Sequence, residues 1–230
     1  MSEMKKIPVI LDGDPGHDDA IAWVLAAAAD EFDIKAITTV AGNQTLAKVT
    51  YNALRICALL GLNVPVSRGR AVPIMSDLFV APSFHGESGL DGPKLPEPAF
   101  EECKLSSVEL MAKVLRESDT PVTIIATGPQ TNVAALLVAH PELKEKIGHI
   151  SIMGGGFRNG NWTAAAEFNI IEDPESAAIE FQAGVPLTVC GLDVTEKAIV
   201  TPNDREKVRA VGNQVSQVVS DWLDFFFKHH

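Results

Sequence analysis

Residues 7–29 read IPVILDGDPGHDDAIAWVLAAAA, and four aspartates lie within eight positions of this stretch. The apolar run IPVI before them is typical of a buried strand, and the run that starts at Ala20 is typical of a buried helix. Proline and glycine at positions 15 and 16 form a tight turn between the two. The stretch therefore predicts a strand, a turn and a helix, with the charged residues at the junction. The aspartates are Asp12, Asp14, Asp18 and Asp19.

The rest of the chain repeats this alternation of apolar strands and helical patterns. Strands are predicted at residues 7–11, 34–40, 64–67, 122–126, 147–153 and 185–190, and helices at 18–29, 46–60, 106–117, 130–139, 174–183, 202–211 and 214–227. Apolar strands separated by helices indicate a mainly parallel sheet covered on both faces. We therefore expect one doubly wound, Rossmann-like α/β domain over residues 1–230. Ligands of such sheets bind beyond the carboxyl ends of the strands, where the long loops 68–105 and 154–173 are expected to open.

Composition narrows the class of partner. The formal net charge of the 230 residues is −11, and the sequence has no cluster of basic residues, which disfavours nucleic acid as a partner. The three cysteines are far apart and no CxxC occurs, so neither a zinc ribbon nor a disulfide framework is predicted. The longest apolar run, residues 20–29, is too short to span a bilayer. We expect a cytoplasmic protein that acts on a small molecule.

The aspartate cluster indicates a cation site. Like charges in close contact repel and raise one another's pKa, and a bound cation is the simplest remedy. Capping a helix needs one aspartate rather than four. Carboxylate oxygens suit Ca²⁺ or Mg²⁺, whereas His17, alone in the turn, is expected to be solvated or hydrogen-bonded rather than a ligand. One alternative is a Mg²⁺-dependent phosphohydrolase with a nucleophilic aspartate, but no basic residue lies nearby to meet a phosphate.

Several stretches resemble a known family. DGDPGHDDA at residues 12–20 closely resembles the N-terminal signature of the inosine–uridine-preferring nucleoside hydrolases. The resemblance continues through VAGNQT (40–45), HGESGLDG (85–92), ATGPQTNVA (126–134), MGGGFRNGNWTAAAEFNI (153–170) and DPESAA (173–178). Among these enzymes, the bacterial pyrimidine-preferring ribonucleoside hydrolases look most similar, because of His17, the Asn43–Gln44 pair and the HGESGLDG block.

The resemblance implies a calcium-dependent hydrolase that cleaves the N-glycosidic bond of uridine, cytidine or inosine to give ribose and a free base. It implies that Asp14, bidentate Asp19 and the backbone carbonyl of Thr127 hold Ca²⁺, with Asp12 supporting them from behind. Asp14 would also be the general base that activates a metal-bound water for attack on C1′. Relatives in this family are homodimers or homotetramers, which we expect here too.

The resemblance also implies how the substrate is held. Asp18 and Asn43 would bind ribose hydroxyls, and Met153 would pack under the sugar. The other side of the ribose would be held by Asn161, Glu167 and Asn169. Phe168 is expected in the core or in the wall around the base. For His85 two interpretations remain open: a catalytic contact that helps to protonate the leaving base, or a hydrogen bond that anchors its loop.

The resemblance further implies that the family's C-terminal part, with one more carboxylate ligand and a histidine, is not matched within the 230 residues. We therefore expect a chain that is C-terminally incomplete relative to the family. This leaves a second functional hypothesis, a nucleoside- or ribose-binding fragment that does not catalyse turnover.

Overall fold

A computed structural model of the chain describes residues 6–229, without the side chain of residue 229. Its six strands are β1 (Ile7–Gly13), β2 (Phe32–Thr39), β3 (Val66–Arg68), β4 (Val122–Ala126), β5 (Ile147–Met153) and β6 (Leu187–Cys190). They form one sheet in the order β3-β2-β1-β4-β5-β6, and every neighbouring pair is parallel. The parallel sheet predicted from the apolar strands is therefore confirmed.

Helices connect the strands. They are α1 (His17–Ala28), α2 (Leu46–Leu60), α3 (Pro82–His85), α4 (Ser107–Glu117), α5 (Thr131–Ala139), α6 (Phe168–Glu172), α7 (Pro174–Phe181), α8 (Leu192–Thr195), α9 (Pro202–Ala210) and α10 (Gln214–His229), with a 3₁₀ helix at Pro141–Lys146. Gly61 follows the last residue of α2 and caps the helix, and its left-handed φ of 66° favours glycine. Among the helices of the described residues, none is long and apolar enough to span a membrane.

Two apolar clusters sandwich the sheet. Residues that alternate along β1 point to opposite faces, so that Leu11 packs in one cluster and Ile10 in the other. The first cluster joins the sheet to α1, α2 and α10, and Trp222 of α10 is fully buried in it. The second cluster joins the sheet to α4 and α5. Helices therefore cover both faces, as the sequence predicted.

The predicted elements are present with shifts of a few residues at their ends. Strand β1 runs two residues further than predicted and places Asp12 inside the strand. The sequence prediction missed α3, α6, α8 and the 3₁₀ helix. The three missed α-helices have four or five residues each, too few turns to show an apolar period. Two of them, α3 and α6, lie in the segments predicted as long loops.

Strand β1 is the point where the order of the sheet reverses. The chain moves from β1 outward through β2 to β3, and then returns to place β4 on the other side of β1. A crevice opens at such a switch point, beyond the carboxyl ends of the strands. The junction after β1, which holds the four aspartates, therefore lies where a ligand is expected.

Glu180 of α7 is a further buried carboxyl group. It is 1% exposed, and neither of its carboxyl oxygens has a hydrogen-bond partner among the described residues. Burial, and to a smaller extent the charge of Asp12, raises the pKa of Glu180 to about 8. Its ionised form therefore destabilises the folded state.

We predict that Glu180→Gln stabilises the chain at pH 8 and has little effect at pH 5. Because the folded-state pKa is raised, the folded chain holds a proton that the unfolded chain releases, and stability falls as the pH rises from about 4.5 to 8. Urea unfolding should show a gain of about 2 kcal/mol or more at pH 8. Glu175→Gln, at an exposed position of α7, is the matched control. An equal gain from Glu180→Gln at both pH values would contradict the prediction.

Candidate active site

Asp12 connects the end of β1 to neighbouring elements through hydrogen bonds. Its Oδ1 accepts hydrogen bonds from Thr38 Oγ1 at 2.5 Å and from Asn132 Nδ2 at 2.8 Å. Burial raises the pKa of Asp12 to about 7, although these two hydrogen bonds favour its ionised form. The contacts tie β1 to β2 and α5. Asn132, which the sequence analysis did not single out, is thus a structural partner of the cluster.

Asp14 and Asp19 are buried carboxylates at the two ends of the turn. Asp14 Oδ2 accepts from the backbone N–H of Asn43 at 2.6 Å, whereas Asp14 Oδ1 has no partner among the described residues. Asp19 accepts from Thr127 Oγ1 at 2.5 Å and from the backbone N–H of Gly16 at 3.1 Å. The carboxylates that were predicted to share a cation are thus brought to one place, together with Thr127.

Asp14 and Asp19 form a buried acidic pair that a positive charge would stabilise. Burial, and then the charge of Asp19, raises the pKa of Asp14 well above its ordinary value. Burial, and then the charge of Asp18, raises the pKa of Asp19 to about 8. Among the side chains that the structure describes, no Lys, Arg or His forms an ion pair with Asp14 or Asp19.

Backbone packs closely around both carboxylates. A Cβ added at Gly42 or Gly128 would lie within 3 Å of an oxygen of Asp14, and one at Gly13 would lie 2.7 Å from Asp19 Oδ1. These positions therefore require glycine for close approach rather than for an unusual φ. All three glycines lie inside stretches that carry the family resemblance, a signal that the sequence analysis left unused.

A cavity of about 190 Å³ opens above the carboxylates. The predicted side chains that line it are those of Asp18, Asn43, His85, Thr127, Met153, Asn161, Glu167, Phe168 and Asn169. Asp14 and Asp19 are not part of the lining, but hydrogen bonds from Asn43 and Thr127 connect them to it. Among the residues that the structure describes, no lysine or arginine lines the cavity, so the phosphohydrolase alternative has no phosphate-binding cation there.

The polar lining on the β5 side is held by its own hydrogen bonds. Asn169 Nδ2 donates to the carbonyl oxygens of Thr127 at 2.9 Å and Met153 at 3.1 Å. Because both amide hydrogens are used, Oδ1 is the Asn169 atom that can accept from a ligand hydroxyl. Glu167 caps α6 and accepts from the Gly155 N–H at 2.9 Å, and burial raises its pKa. Asn161 orders the same loop, since its Oδ1 accepts from the Phe168 N–H.

His85 lies on the opposite side of the cavity and contacts the buried His17. His85, in α3, lies with Nδ1 3.1 Å from Nδ1 of His17 and with Nε2 3.9 Å from Oδ1 of Asp18. His17 is fully buried, with Nε2 2.8 Å from the carbonyl oxygen of Asp91. Burial lowers the pKa of His17 to about 4. His17 is therefore hydrogen-bonded, and the solvated alternative for it is wrong. His85 contacts His17 of the turn, as the loop-anchoring interpretation expects, and it also lines the cavity, where its catalytic contact stays a prediction.

Aromatic rings complete the walls. Phe79 stacks on Trp162 at 5.2 Å between ring centroids, and Phe168 packs edge-on against both rings. Trp162 and Phe168 line the cavity, together with Phe226 of α10 beside His85. The sequence analysis missed the place of Phe226, because an apolar helix position gives no sign of which cavity it borders. Aromatic walls above an acidic floor suit a flat ring attached to a hydroxyl-rich group.

Comparisons with known proteins agree with this geometry. The family model described as "Inosine-uridine preferring nucleoside hydrolase" matches residues 9–230. The chain is 59% identical over 225 residues to the pyrimidine-specific ribonucleoside hydrolase RihA of Citrobacter koseri, and 58% identical to that of an Escherichia coli strain. Each alignment covers 97% of this chain and 72% of the relative.

Solved structures give the same result. A purine-preferring ribonucleoside hydrolase from Gardnerella vaginalis superposes with a TM-score of 0.92 at 33% identity, over 96% of this chain and 72% of that one. A plant nucleoside hydrolase superposes with a TM-score of 0.91 at 33% identity, over 97% and 72%. Since the family model matches nearly the whole chain, the chain belongs to the inosine–uridine-preferring nucleoside hydrolase family.

Proposed function

We propose that the chain hydrolyses the N-glycosidic bond of ribonucleosides to give ribose and a free base. The observation that carries the proposal is the buried pair Asp14 and Asp19 beneath a cavity with polar and aromatic walls. Breaking the bond between C1′ and the base nitrogen builds positive charge on the ribose, which carboxylates stabilise. Two similar proteins are named pyrimidine-specific ribonucleoside hydrolases. Their names support uridine and cytidine as the proposed substrates of this chain.

Calcium is the proposed cofactor. No group of three or more His, Cys, Asp or Glu side chains among the described residues forms a metal cluster, so side chains supply only the two carboxylates of Asp14 and Asp19. The neutral donor would be the carbonyl oxygen of Thr127, whose second lone pair is available beside the Asn169 bond. An all-oxygen donor set, with Asp14 Oδ1 lacking a partner among the described residues, fits a hard cation. When bound, Ca²⁺ would offset the carboxylate repulsion, hold ribose hydroxyls and acidify water.

The roles of the chain's own residues follow from their atoms. Asp14 Oδ1 would accept a proton from the water that attacks C1′, and Asp12 would hold the strand end in place. Asp18 and Asn43, which line the cavity near the turn, would accept from ribose hydroxyls. Holding the sugar through several hydroxyls orients C1′ for attack and uses remote binding to lower the barrier.

The remaining residues that line the cavity would contact the other side of the ribose and the base. Asn169 Oδ1 would accept from a hydroxyl, with Glu167 and Asn161 beside it and Met153 under the ribose. The rings of Phe168 and its neighbours would face the base. His85, whose Nε2 lies 3.9 Å from Asp18 Oδ1, would give a proton to the leaving base.

Assembly and location are part of the same proposal. We infer a homodimer or homotetramer, as the family resemblance implies, and light scattering on a sizing column would measure its mass. The three free cysteines, Cys57, Cys103 and Cys190, favour a reducing compartment such as the cytoplasm.

The first test is release of ribose from uridine by the chain, measured after chelation and again after Ca²⁺ is restored. We expect release that is lost with the chelator and recovered with Ca²⁺. Release that does not depend on the cation would overturn the proposed cofactor. Bound Ca²⁺ and bound uridine without any release would overturn hydrolysis in favour of the nucleoside-binding alternative.

Asp14→Asn should lower kcat by about a thousandfold or more, because it removes both a ligand charge and the proposed base. Calorimetric titration should show weaker Ca²⁺ binding. In chelator, the variant should melt higher than the wild type, because a source of repulsion is gone. Asp18→Asn, at the exposed rim, is the matched control and should keep the Ca²⁺ affinity. Near-wild-type turnover by Asp14→Asn would rule out the role of Asp14.

Asn169→Ala should lower kcat/KM for uridine by about a hundredfold, since it removes a preorganised acceptor of a ribose hydroxyl. The matched control is Asn159→Ala in the same loop, whose side chain donates to Glu196 on the surface. Steady-state kinetics of both variants give the comparison. Equal kcat/KM values would remove Asn169 from the ribose site.

A further inference from the structure

Helix α2 and the segment before it hold one loop through three hydrogen bonds from side chains to backbone. In chain order, the bonds run from Gln44 Nε2 to the Gly86 carbonyl oxygen at 3.1 Å, from Lys48 Nζ to that of Glu87, and from Asn52 Nδ2 to that of Ser88 at 2.8 Å. The donors lie four residues apart, which is the spacing of side chains on one side of a helix, and the acceptors are consecutive. We call the three donors the α2 donor row.

The loop that the α2 donor row holds, residues 86–92, lies outside the helices and strands. Gly86, Gly89 and Gly92 have φ values of 79°, 85° and 123°, all in the region that favours glycine. Glycine loses more conformational entropy than other residues when it becomes ordered, so this loop needs bonds that offset the loss. Hydrogen bonds from outside the loop are therefore expected to decide where it lies.

The loop packs directly on the α2 donor row. Gln44 and Asn52 are 2% and 1% exposed, and a Cβ added at Gly89 would lie 3.1 Å from a side-chain atom of each. Lys48 Nζ lies 3.2 Å from Gln44 Oε1. Because the Lys48 ammonium group can only donate, it fixes the orientation of the Gln44 amide and leaves Nε2 for the Gly86 carbonyl. The members of the row therefore support one another.

The held loop and the segment before α2 both border the cavity. Asn43, the residue before the row, lines the cavity and donates its N–H to Asp14 Oδ2 at 2.6 Å. Its carbonyl oxygen accepts from the N–H of Ala81 at 3.1 Å. His85 lines the cavity and directly precedes Gly86, the first residue that the row holds. The row therefore connects the acidic floor to the part of the wall that carries His85.

We propose that Gln44, Lys48 and Asn52 are positioning residues, which hold the loop after His85 and so set the place of its side chain relative to a bound nucleoside. None of the three is among the described residues that line the cavity, so they would act through the loop rather than on the substrate. The inference rests on the proposed function for its role in turnover, but the order of the loop can be measured without any activity.

The competing explanation is that the loop keeps its place without the row. It has bonds of its own, since the N–H groups of Glu87 and Ser88 donate to the Asp91 carboxylate. These bonds join parts of the loop to each other and leave its position relative to α2 open. The Asp91 carbonyl oxygen contacts His17 at the far end of the loop, whereas the row holds the end next to His85. A shift of about 1 Å there would be enough to slow a proton transfer strongly.

The first test is amide hydrogen exchange of residues 86–91 in the wild type and in Gln44→Met. We expect exchange in this loop to become about fivefold faster or more, with that of β1 and β4 unchanged. Lys48→Met, at a half-buried position, repeats the measurement if Gln44→Met does not fold. Tyr51→Phe, which removes a surface bond from α2 to Glu97, is the matched control. Unchanged exchange in the loop, or equal acceleration in the strands, would overturn the proposal.

The second test is a double-mutant cycle on kcat for uridine. Gln44→Met should lower kcat by about tenfold with KM nearly unchanged, and it should cause no further loss in a chain that carries His85→Ala. Lys48→Met should also lower kcat, whereas Lys48→Arg, which keeps a donor for the loop, should retain most of it.

The outcomes separate this inference from the proposed function. Losses that multiply in the chain with both Gln44→Met and His85→Ala would show that Gln44 acts independently of His85, and would overturn positioning. Equal losses in Lys48→Met and Lys48→Arg would also contradict it. If loop exchange changes as expected in a chain that does not hydrolyse uridine, the proposed function fails while the role of the α2 donor row in holding the loop stands.

Discussion

The carboxylates of Asp14 and Asp19 repel each other inside a buried turn, and the surrounding structure is arranged to hold them despite this repulsion. Hydrogen bonds from Asn43, from Thr127 and from the backbone N–H of Gly16 partly compensate for the burial of these carboxylates. The backbone at Gly42 and Gly128 approaches Asp14 so closely that neither position has space for a side chain. Two buried carboxylates without a cation raise the free energy of the folded chain. A bound cation would remove this repulsion, and the site is therefore expected to bind positive charge strongly.

The two sides of the cavity come from different parts of the fold. The floor and the histidine side depend on the turn after β1 and on the loop from α3 to Asp91. The opposite side comes from the segment between β5 and α7, where Asn169 bridges the ends of β4 and β5. Because parallel strands end at one edge, segments that are distant in sequence converge there. Orientation of a substrate therefore depends on contacts across the whole sheet rather than on one loop.

Much of this arrangement could be predicted from local sequence. The apolar runs before Asp12 and after Asp19 predicted β1 and α1, and the convergence of the end of β1 with Thr127 follows from the parallel pairing of β1 and β4. The places of Asn132 and Phe226 could not be predicted, because each depends on how a helix packs against the sheet. The link between His17 and His85 was also beyond the sequence, since it needs a loop to bring two distant rings within 3.1 Å. The family motifs indicated lining residues such as Asn43 and Asn169, whereas hydrophobic periodicity indicated only which segments form strands and helices.

The position of β1 has a consequence for how the molecule forms during synthesis. One neighbour of β1, strand β2, follows after a single helix, whereas the other, β4, is made only half a chain later. The amino-terminal half can therefore gather Asp14, Asp19 and Asn43 before Thr127 exists. At that stage the crowded charges favour keeping the junction open. Any cation that binds only the finished junction would shift the folding equilibrium toward the completed sheet by mass action, so that a higher concentration of that cation would raise the folded fraction.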